Sequence, residues 1–231
     1  MMKQLTIIFS IAFSSICVAQ SADCDRSVFF GNKRICLPHT PGMEECYDNP
    51  TVKSWADLFK GNPQEEILGL YIKESNYQIG KLTDFEEGIN YPYVKVYSTQ
   101  SISQIDASKE IIDIVAPELT KTFDNWTTSE FKPKTQRLFD NLSNKLEMDM
   151  SLDSPILIDE YQPHPSARSF VVLMNFKIED ESFLIASVLS LMIVEERLIF
   201  CAYYDEFKGS QQLDVTKAAN DFFVMNLMAK N

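Results

Sequence analysis

The hydrophobic pattern is strongest over residues 169–207, where three long apolar runs are separated by two short polar links. The links lie at residues 179–182 and 195–196. Runs joined by such short links form neighbouring antiparallel strands, because a parallel pair needs a crossover of a dozen or more residues. The pattern therefore predicts a three-stranded antiparallel meander towards the C-terminus.

The middle run of this meander is apolar on both of its faces. Along residues 183–194, only Ser187 and Ser190 interrupt the aliphatic and aromatic side chains. A strand with one face in water alternates apolar and polar residues, so a strand that is apolar on both faces must be covered on both. We therefore expect helices or loops to pack on both faces of the sheet.

The rest of the chain alternates shorter strands with amphipathic helices. A hairpin is expected over residues 27–37, a short helix over 47–60, and strands within 66–77, 91–98 and 155–161. Helices are expected over 105–115, 135–147 and 213–229, and Pro117 either kinks the first of these or starts another. The expected apolar side of the last helix consists of Val215, Ala219, Phe222, Met225 and Met228.

The order of these elements predicts an α+β fold with a mainly antiparallel sheet, helices packed on both faces and a C-terminal helix. Over about residues 66–231, a strand pair, a long helix, the meander and a last helix follow one another. This order resembles the PsbP-like α/β/α sandwich class. The resemblance implies that architecture as the fold, and it includes no diagnostic motif that would assign a functional residue.

The first 21 residues have the composition of a secretory signal peptide. Lys3 precedes an apolar run over residues 5–18, and Ala-Gln-Ser at residues 19–21 forms a small-x-small cleavage site. The run has about 14 residues, fewer than the roughly 20 that a membrane-spanning helix needs. We expect cleavage near Ser21 and Ala22, a secreted or periplasmic protein, and no membrane span.

After the signal peptide, two parts are predicted. Residues 22–62 form an N-terminal extension, made of the hairpin and the short helix and tied by disulfides. Residues 63–231 form a single α+β domain, since about 210 residues suit one domain with a small extension.

The chain is acidic, with 21 Lys and Arg against 33 Asp and Glu and a formal net charge of −12. Nucleic acids and anionic membrane surfaces bind basic patches, so neither is expected as a partner. We interpret the acidic balance mainly as a surface that favours solubility.

Four cysteines follow the signal peptide: Cys24, Cys36, Cys46 and Cys201. In an oxidising compartment an even number is typical of disulfides, and three sets of pairs are open. The short, turn-prone loop between Cys36 and Cys46 favours that pair, which leaves Cys24 with Cys201. A zinc site is not expected, because no CxxC spacing occurs and the chain has only two histidines.

No catalytic motif is present, so the catalytic residues are unknown and no cofactor is expected. The seven glycines form no GxSxG, GxGxxG or P-loop pattern. His39 and His164 lie in proline-rich polar loops, which favours plain exposure over a catalytic role. Acidic residues are plentiful, but no pair of them is singled out as a hydrolytic site.

One weak metal candidate is a calcium-binding loop. Acidic or hydroxyl side chains occupy positions 1, 3, 5 and 12 of an EF-hand spacing, at Asp149, Ser151, Asp153 and Glu160. The sixth position is Ser154 instead of glycine, and a strand rather than a helix is predicted to follow. We therefore favour an ordinary turn between a helix and a strand, with no metal.

The function we favour is a non-catalytic secreted or periplasmic domain that binds a protein partner or a small apolar ligand, and a monomer is expected. The excess of Phe, Tyr and Met around a sheet that is apolar on both faces motivates this hypothesis, although a filled core explains the same residues. Two alternatives stay open. One is a secreted hydrolase that uses a carboxylate pair, and the other is an inhibitor or immunity-type protein with an acidic binding surface.

Overall fold

The computed structural model describes residues 24–85, 89–126 and 131–231. The predicted signal peptide, residues 1–21, lies outside these ranges. The strands are β1 (Cys24–Phe30), β2 (Lys33–Pro38), β3 (Met43–Glu45), β4 (Glu65–Lys73), β5 (Tyr93–Thr99), β6 (Met150–Leu152), β7 (Ile156–His164), β8 (Ala167–Ile178), β9 (Glu181–Val194) and β10 (Arg197–Glu206). The helices are α1 (Pro50–Leu58), α2 (Glu74–Thr83), α3 (Lys109–Asp124), α4 (Phe131–Leu146) and α5 (Ser210–Lys230).

Eight strands form one antiparallel sheet in the order β3-β4-β5-β10-β9-β8, with β6 and β7 both pairing with β8. The strands β1 and β2 form a separate hairpin. The predicted α+β class, the mainly antiparallel sheet, the C-terminal meander (β8, β9 and β10) and the C-terminal helix are confirmed. The meander occupies the part of the sheet between β5 and the β6/β7 edge.

The turn between β9 and β10 shows how a polar link of two residues can join neighbouring antiparallel strands of the meander. Val194 pairs with Arg197, so only Glu195 and Glu196 lie in the turn. Both have left-handed backbone angles, with φ of 48° and 59°. Two consecutive residues of this kind give the twist that suits a tight antiparallel hairpin.

One face of the sheet, which we call the α5 face, is covered by α5 and the β1–β2 hairpin. Its core includes Val94 and Val96 from β5, Cys201 from β10, and Phe223 and Leu227 from α5. All five side chains are at most 1% exposed. Burying such side chains from both layers removes a large apolar area from water and stabilises the fold.

The opposite face, which we call the three-helix face, carries α1, α3 and α4. Helix α3 packs on the meander through Ile112 and Ala116. Helix α1 packs on β4 through Val52 and Ala56. In α4 the ring of Phe139 lies 5.7 Å from a phenylalanine ring of β8. Helices therefore cover both faces, as the apolar middle strand predicted.

A buried polar network explains why a serine interrupts the middle strand. Ser190 Oγ lies 2.7 Å from Ser169 Oγ, and Asn220 Nδ2 donates to Ser190 Oγ at 3.0 Å. All three side chains are fully buried. Because buried polar groups need hydrogen-bond partners, this network fixes the position of α5 along β9.

The buried side of α5 differs from the apolar side expected from the sequence. The expected set was Val215, Ala219, Phe222, Met225 and Met228. The structure buries Thr216, Asn220, Phe223, Val224 and Leu227, and of the expected set only Ala219 and Met228 pack against the core as partly buried side chains. Val215, Phe222 and Met225 are 47–59% exposed. Apolar residues occur around most of this helix, so their spacing did not identify the buried face.

The predicted N-terminal hairpin and short helix are both present, as β1–β2 and α1. Phe30, Ile35 and Leu37 of the hairpin belong to the same buried cluster as α5. The strand β3 extends the main sheet by pairing with β4. The proposed division of the chain at residue 62 stays a prediction.

The disulfide differs from the pairs that the spacing favoured. Cys24 is joined to Cys36 with their Cα atoms 5.5 Å apart, while Cys46 and Cys201 are buried free thiols. The predicted Cys36–Cys46 and Cys24–Cys201 pairs are therefore wrong. The antiparallel pairing of β1 with β2 brings Cys24 beside Cys36, whereas Cys46 lies in the core under α1 and Cys201 in the core under α5.

Across the described ranges, none of the helices is long and apolar enough to cross a membrane.

Candidate functional site

An apolar pocket of about 260 Å³ lies on the three-helix face of the sheet. Strands β4, β5, β6, β8 and β10 contribute to its floor, and helices α1 and α4 provide its walls. Seven of its lining side chains are aromatic: Trp55, Phe59, Tyr93, Tyr97, Phe139, Phe176 and Tyr204. We call this site the aromatic pocket.

The alternation of β5 places three residues in the aromatic pocket. Successive side chains of a strand point to opposite faces, so Tyr93, Lys95 and Tyr97 share one face. Val94 and Val96 point to the other face, where they are fully buried under α5. The three pocket residues stay partly exposed, because α1 and α4 leave a gap over this part of the sheet.

The aromatic rings of the pocket pack against one another. The rings of Tyr93 and Tyr204 stack with their centroids 4.8 Å apart, and the edge of Trp55 meets Tyr93 at 5.8 Å. Such pairs add stabilisation beyond the area that they bury. Burial raises the pKa of Tyr93, Tyr97 and Tyr204 further above the physiological range, in which a phenol is already neutral.

A buried ion pair lies at one side of the aromatic pocket. Lys95 Nζ and Glu65 Oε1 are 3.0 Å apart, and their side chains are 12% and 6% exposed. The second oxygen of Glu65 accepts a hydrogen bond from the Gly61 amide at 2.9 Å. Lys95 also lies over the ring of Tyr97, 4.5 Å from its centroid. The two buried charges therefore compensate each other. The pair also links Gly61, at the rim of the aromatic pocket, to β5 in its floor.

A second, more polar cleft of about 580 Å³ adjoins the pocket. We call it the outer cleft. Its lining includes Asp57, Lys60 and Arg137, and it shares Gly61 and Leu138 with the aromatic pocket. The two volumes are therefore adjacent, with the apolar one inside and the charged one outside.

The side chains that line the aromatic pocket are suited to binding an apolar molecule. Among the described residues that line the aromatic pocket, Glu65 is the one carboxylate, and histidine, cysteine and serine are missing. Glu65 is already engaged by Lys95 and by a backbone amide. Aromatic walls with a few fixed polar groups are typical of sites that hold an apolar molecule in one orientation.

The four residues of the calcium candidate lie in different local surroundings. Asp149 and Ser151 line a polar cleft beside α4. Asp153 pairs with Lys177 at 3.1 Å, and hydrogen bonds from Lys177 and Asn175 lower its pKa. Glu160 lies in β7 and accepts a hydrogen bond from a threonine hydroxyl of α3. In the described part of the chain, no group of three or more His, Cys, Asp or Glu side chains could hold a metal ion.

The histidines and free thiols lie away from the aromatic pocket. His39 Nδ1 is 3.1 Å from an Asp25 oxygen, and His164 Nδ1 accepts a hydrogen bond from a backbone amide. Burial raises the pKa of the Cys46 and Cys201 thiols. A thiol with a raised pKa is a poor nucleophile, because the thiolate is the reactive form.

Comparison with known proteins finds little. Neither a family model nor a curated protein matches the chain. Two solved structures match the chain at low similarity. One is a point mutant of the protein Mog1, with 10% identity and a TM-score of 0.35. The other is the Saccharomyces cerevisiae Ran-binding protein Mog1p, with 9% identity and a TM-score of 0.30. In each case 89% of this chain and 93% of the other are covered.

Two features of the sequence are related to this pocket, although neither predicts it. The alternation of Tyr93, Lys95 and Tyr97 with two valines marks a strand whose second face is aromatic and only partly polar. Trp55 belongs to the apolar stripe of α1. The contact between Lys95 and Glu65 spans 30 residues, and no local pattern reports such a pair.

Proposed function

We propose that this chain is a non-catalytic secreted or periplasmic domain that binds a small apolar ligand in the aromatic pocket. The observation that carries the proposal is the gap between α1 and α4, where aromatic side chains line about 260 Å³ of open space. Both faces of the sheet carry clusters of buried side chains, and the cluster under α1 borders this open space through Ala56 and Leu70. Small-molecule sites have volumes of about 300–1,000 Å³, so this one suits a small ligand.

The location is supported by two features. The N-terminal 21 residues have the charge, apolar run and cleavage site of a signal peptide. The Cys24–Cys36 disulfide begins three residues after the proposed cleavage site and is typical of an oxidising compartment. N-terminal sequencing of the exported protein tests this part, and the expected first residue is Ala22 or a close neighbour.

The binding proposal is tested with the neutral fluorescent probe N-phenyl-1-naphthylamine, which brightens in apolar surroundings. The pocket variant is Thr135→Phe, because Thr135 lines the wall on α4 and an added ring would take up pocket volume. The control variant is Phe222→Ser, which removes an exposed apolar side chain from α5, on the other face.

The wild type and Phe222→Ser are expected to bind the probe equally and saturably, while Thr135→Phe binds it at least about tenfold more weakly, as expected when a site is filled. Loss of probe binding in Phe222→Ser alone would place the binding on the surface of α5. No saturable binding to the wild type would refute the proposal.

A further inference from the structure

The outer cleft carries a positive charge on an otherwise acidic chain. Asp57, Lys60 and Arg137 are its charged lining residues, while the whole chain has a formal charge of −12. Lys60 Nζ is 2.9 Å from Asp57 Oδ1, so these two charges compensate each other. Among the described residues of the lining, Arg137 is therefore the charge left without a counterion.

Arg137 keeps most of its donors for another molecule. Its Nε donates to the Pro133 carbonyl at 3.2 Å, one helical turn back along α4. A guanidinium has five N–H donors in a planar fork that matches a carboxylate. The intrahelical bond uses one of the five and holds the stem of the side chain against α4. The terminal amino groups are left to bind an anion in the outer cleft.

The inner and outer volumes together form an amphipathic site. Gly61 and Leu138 line both, so the two volumes adjoin at these residues, where a ligand would extend from one into the other. Its inner part would contact aromatic rings and its outer part would reach Arg137 and Lys60. Lys95, at the side of the pocket, adds a third cation, although Glu65 already engages it.

We propose that the ligand is an anionic amphiphile, a small molecule with an apolar chain or ring and one carboxylate. The apolar part lies in the aromatic pocket, and the carboxylate is bound by Arg137 in the outer cleft. This inference rests on the proposed function and adds the chemical class of the ligand. A cationic head group is disfavoured, because it would meet Arg137 while both nearby carboxylates, Asp57 and Glu65, are already paired.

The test uses Trp55 as a reporter, because it lines the pocket and the chain has only two tryptophans. Trp126→Phe removes the other one. This protein is titrated with decanoate, 1-decanol and decylammonium, which share a chain and differ in the charge of the head. Arg137→Gln is then compared with Lys121→Gln, which removes a cation of α3 that pairs with Glu118 away from the cleft.

Decanoate is expected to bind most tightly, and Arg137→Gln should weaken it by about fivefold, the size of an exposed ion pair, without changing the affinity for decanol. Lys121→Gln should leave all three affinities unchanged. Equal affinities for the three compounds, or no effect of Arg137→Gln on decanoate binding, would refute the proposal that the ligand is anionic. Neither result would refute binding of an apolar ligand in the aromatic pocket. If none of the three changes the fluorescence of Trp55, the proposed function fails as well.

Discussion

Lys95 Nζ lies 3.0 Å from Glu65 Oε1 at the side of the aromatic pocket, and the two residues tie β5 to β4. Both side chains are at most 12% exposed, so neither charge is well solvated. Removing one member of such a pair leaves a buried charge alone, whereas replacing both by neutral groups of similar volume is far less costly.

The first prediction is that Lys95→Met lowers the free energy of unfolding by about 3 kcal/mol, because Glu65 loses its counterion. Adding Glu65→Gln to that variant should restore most of the stability, since the amide keeps an oxygen for the Gly61 N–H. Urea denaturation of the two variants and the wild type measures both effects. A double variant that is less stable than the single one would contradict this account of the ion pair.

The second prediction concerns Cys24, Cys36, Cys46 and Cys201. Iodoacetamide at pH 8 should label none of them in the native protein, because burial raises the pKa of Cys46 and Cys201 and the other two are bonded. After denaturation without reductant, mass spectrometry should find two labels, on Cys46 and Cys201. Finding no label under that condition would mean that all four cysteines are in disulfides.

The third prediction is that the Cys24–Cys36 bond stabilises the fold by about 3 kcal/mol, the entropic value for a closed loop of this length. The double variant Cys24→Ser/Cys36→Ser should therefore unfold at lower urea concentration. Cys46→Ser is a suitable control, since it changes a buried cysteine without opening a disulfide. Equal stability of the wild type and the double variant would show that the bond does not constrain the unfolded chain.

The fourth prediction compares two glycines with left-handed backbone angles. Gly31 and Gly42 have φ of 61° and 76°. A methyl group on Gly31 would lie 2.0 Å from the Ser103 carbonyl oxygen, whereas one on Gly42 meets no atom within 4 Å. Gly42→Ala should cost about 1 kcal/mol, the strain of the left-handed region alone. Gly31→Ala should cost clearly more, and equal losses in thermal denaturation would contradict the close contact with Ser103.

The fifth prediction is a pH effect at Asp106, which pairs with Arg197, a fully buried cation. Arg197 Nη1 donates to Asp106 Oδ1 at 2.6 Å, and this hydrogen bond holds the pKa of Asp106 below its ordinary value. A carboxyl whose pKa is lowered in the folded state contributes stability that is present above its unfolded pKa. That stability is lost as the pH falls through the folded pKa.

The melting temperature of the wild type should therefore exceed that of Asp106→Asn at neutral pH, and the difference should shrink below about pH 4. Melting curves of both proteins across this range measure the effect. A difference that stays constant down to pH 2 would show that the charge of Asp106 does not act through Arg197.

The features of the fold that follow from local patterns were predictable from the sequence. Glu195 and Glu196 between two apolar runs indicated a tight turn, and the apolar β9 required cover on both faces. The buried side of α5 was not predictable, because Phe222 and Phe223 are equally apolar. Packing against β9, through Asn220 and Ser190, decides which of them is buried.

Features that depend on distant contacts were beyond the sequence analysis. The pairing of Cys24 with Cys36 follows from the register of a hairpin, whereas loop length alone favoured Cys46. The aromatic pocket depends on the gap between two helices that are far apart in the chain. The aromatic face of β5 and Trp55 of α1 are visible in the sequence, but the open space between them depends on how α1 and α4 lie over β5.

The occupancy of the aromatic pocket tests the central claim most directly. The measurement is native mass spectrometry of the wild type and Thr135→Phe, exported side by side from the same cells, before and after denaturation. The account predicts a small anionic molecule bound to the wild type, released by denaturation and missing from Thr135→Phe. The same bound mass on both proteins, or the bare mass of the chain with one disulfide for both, would contradict it.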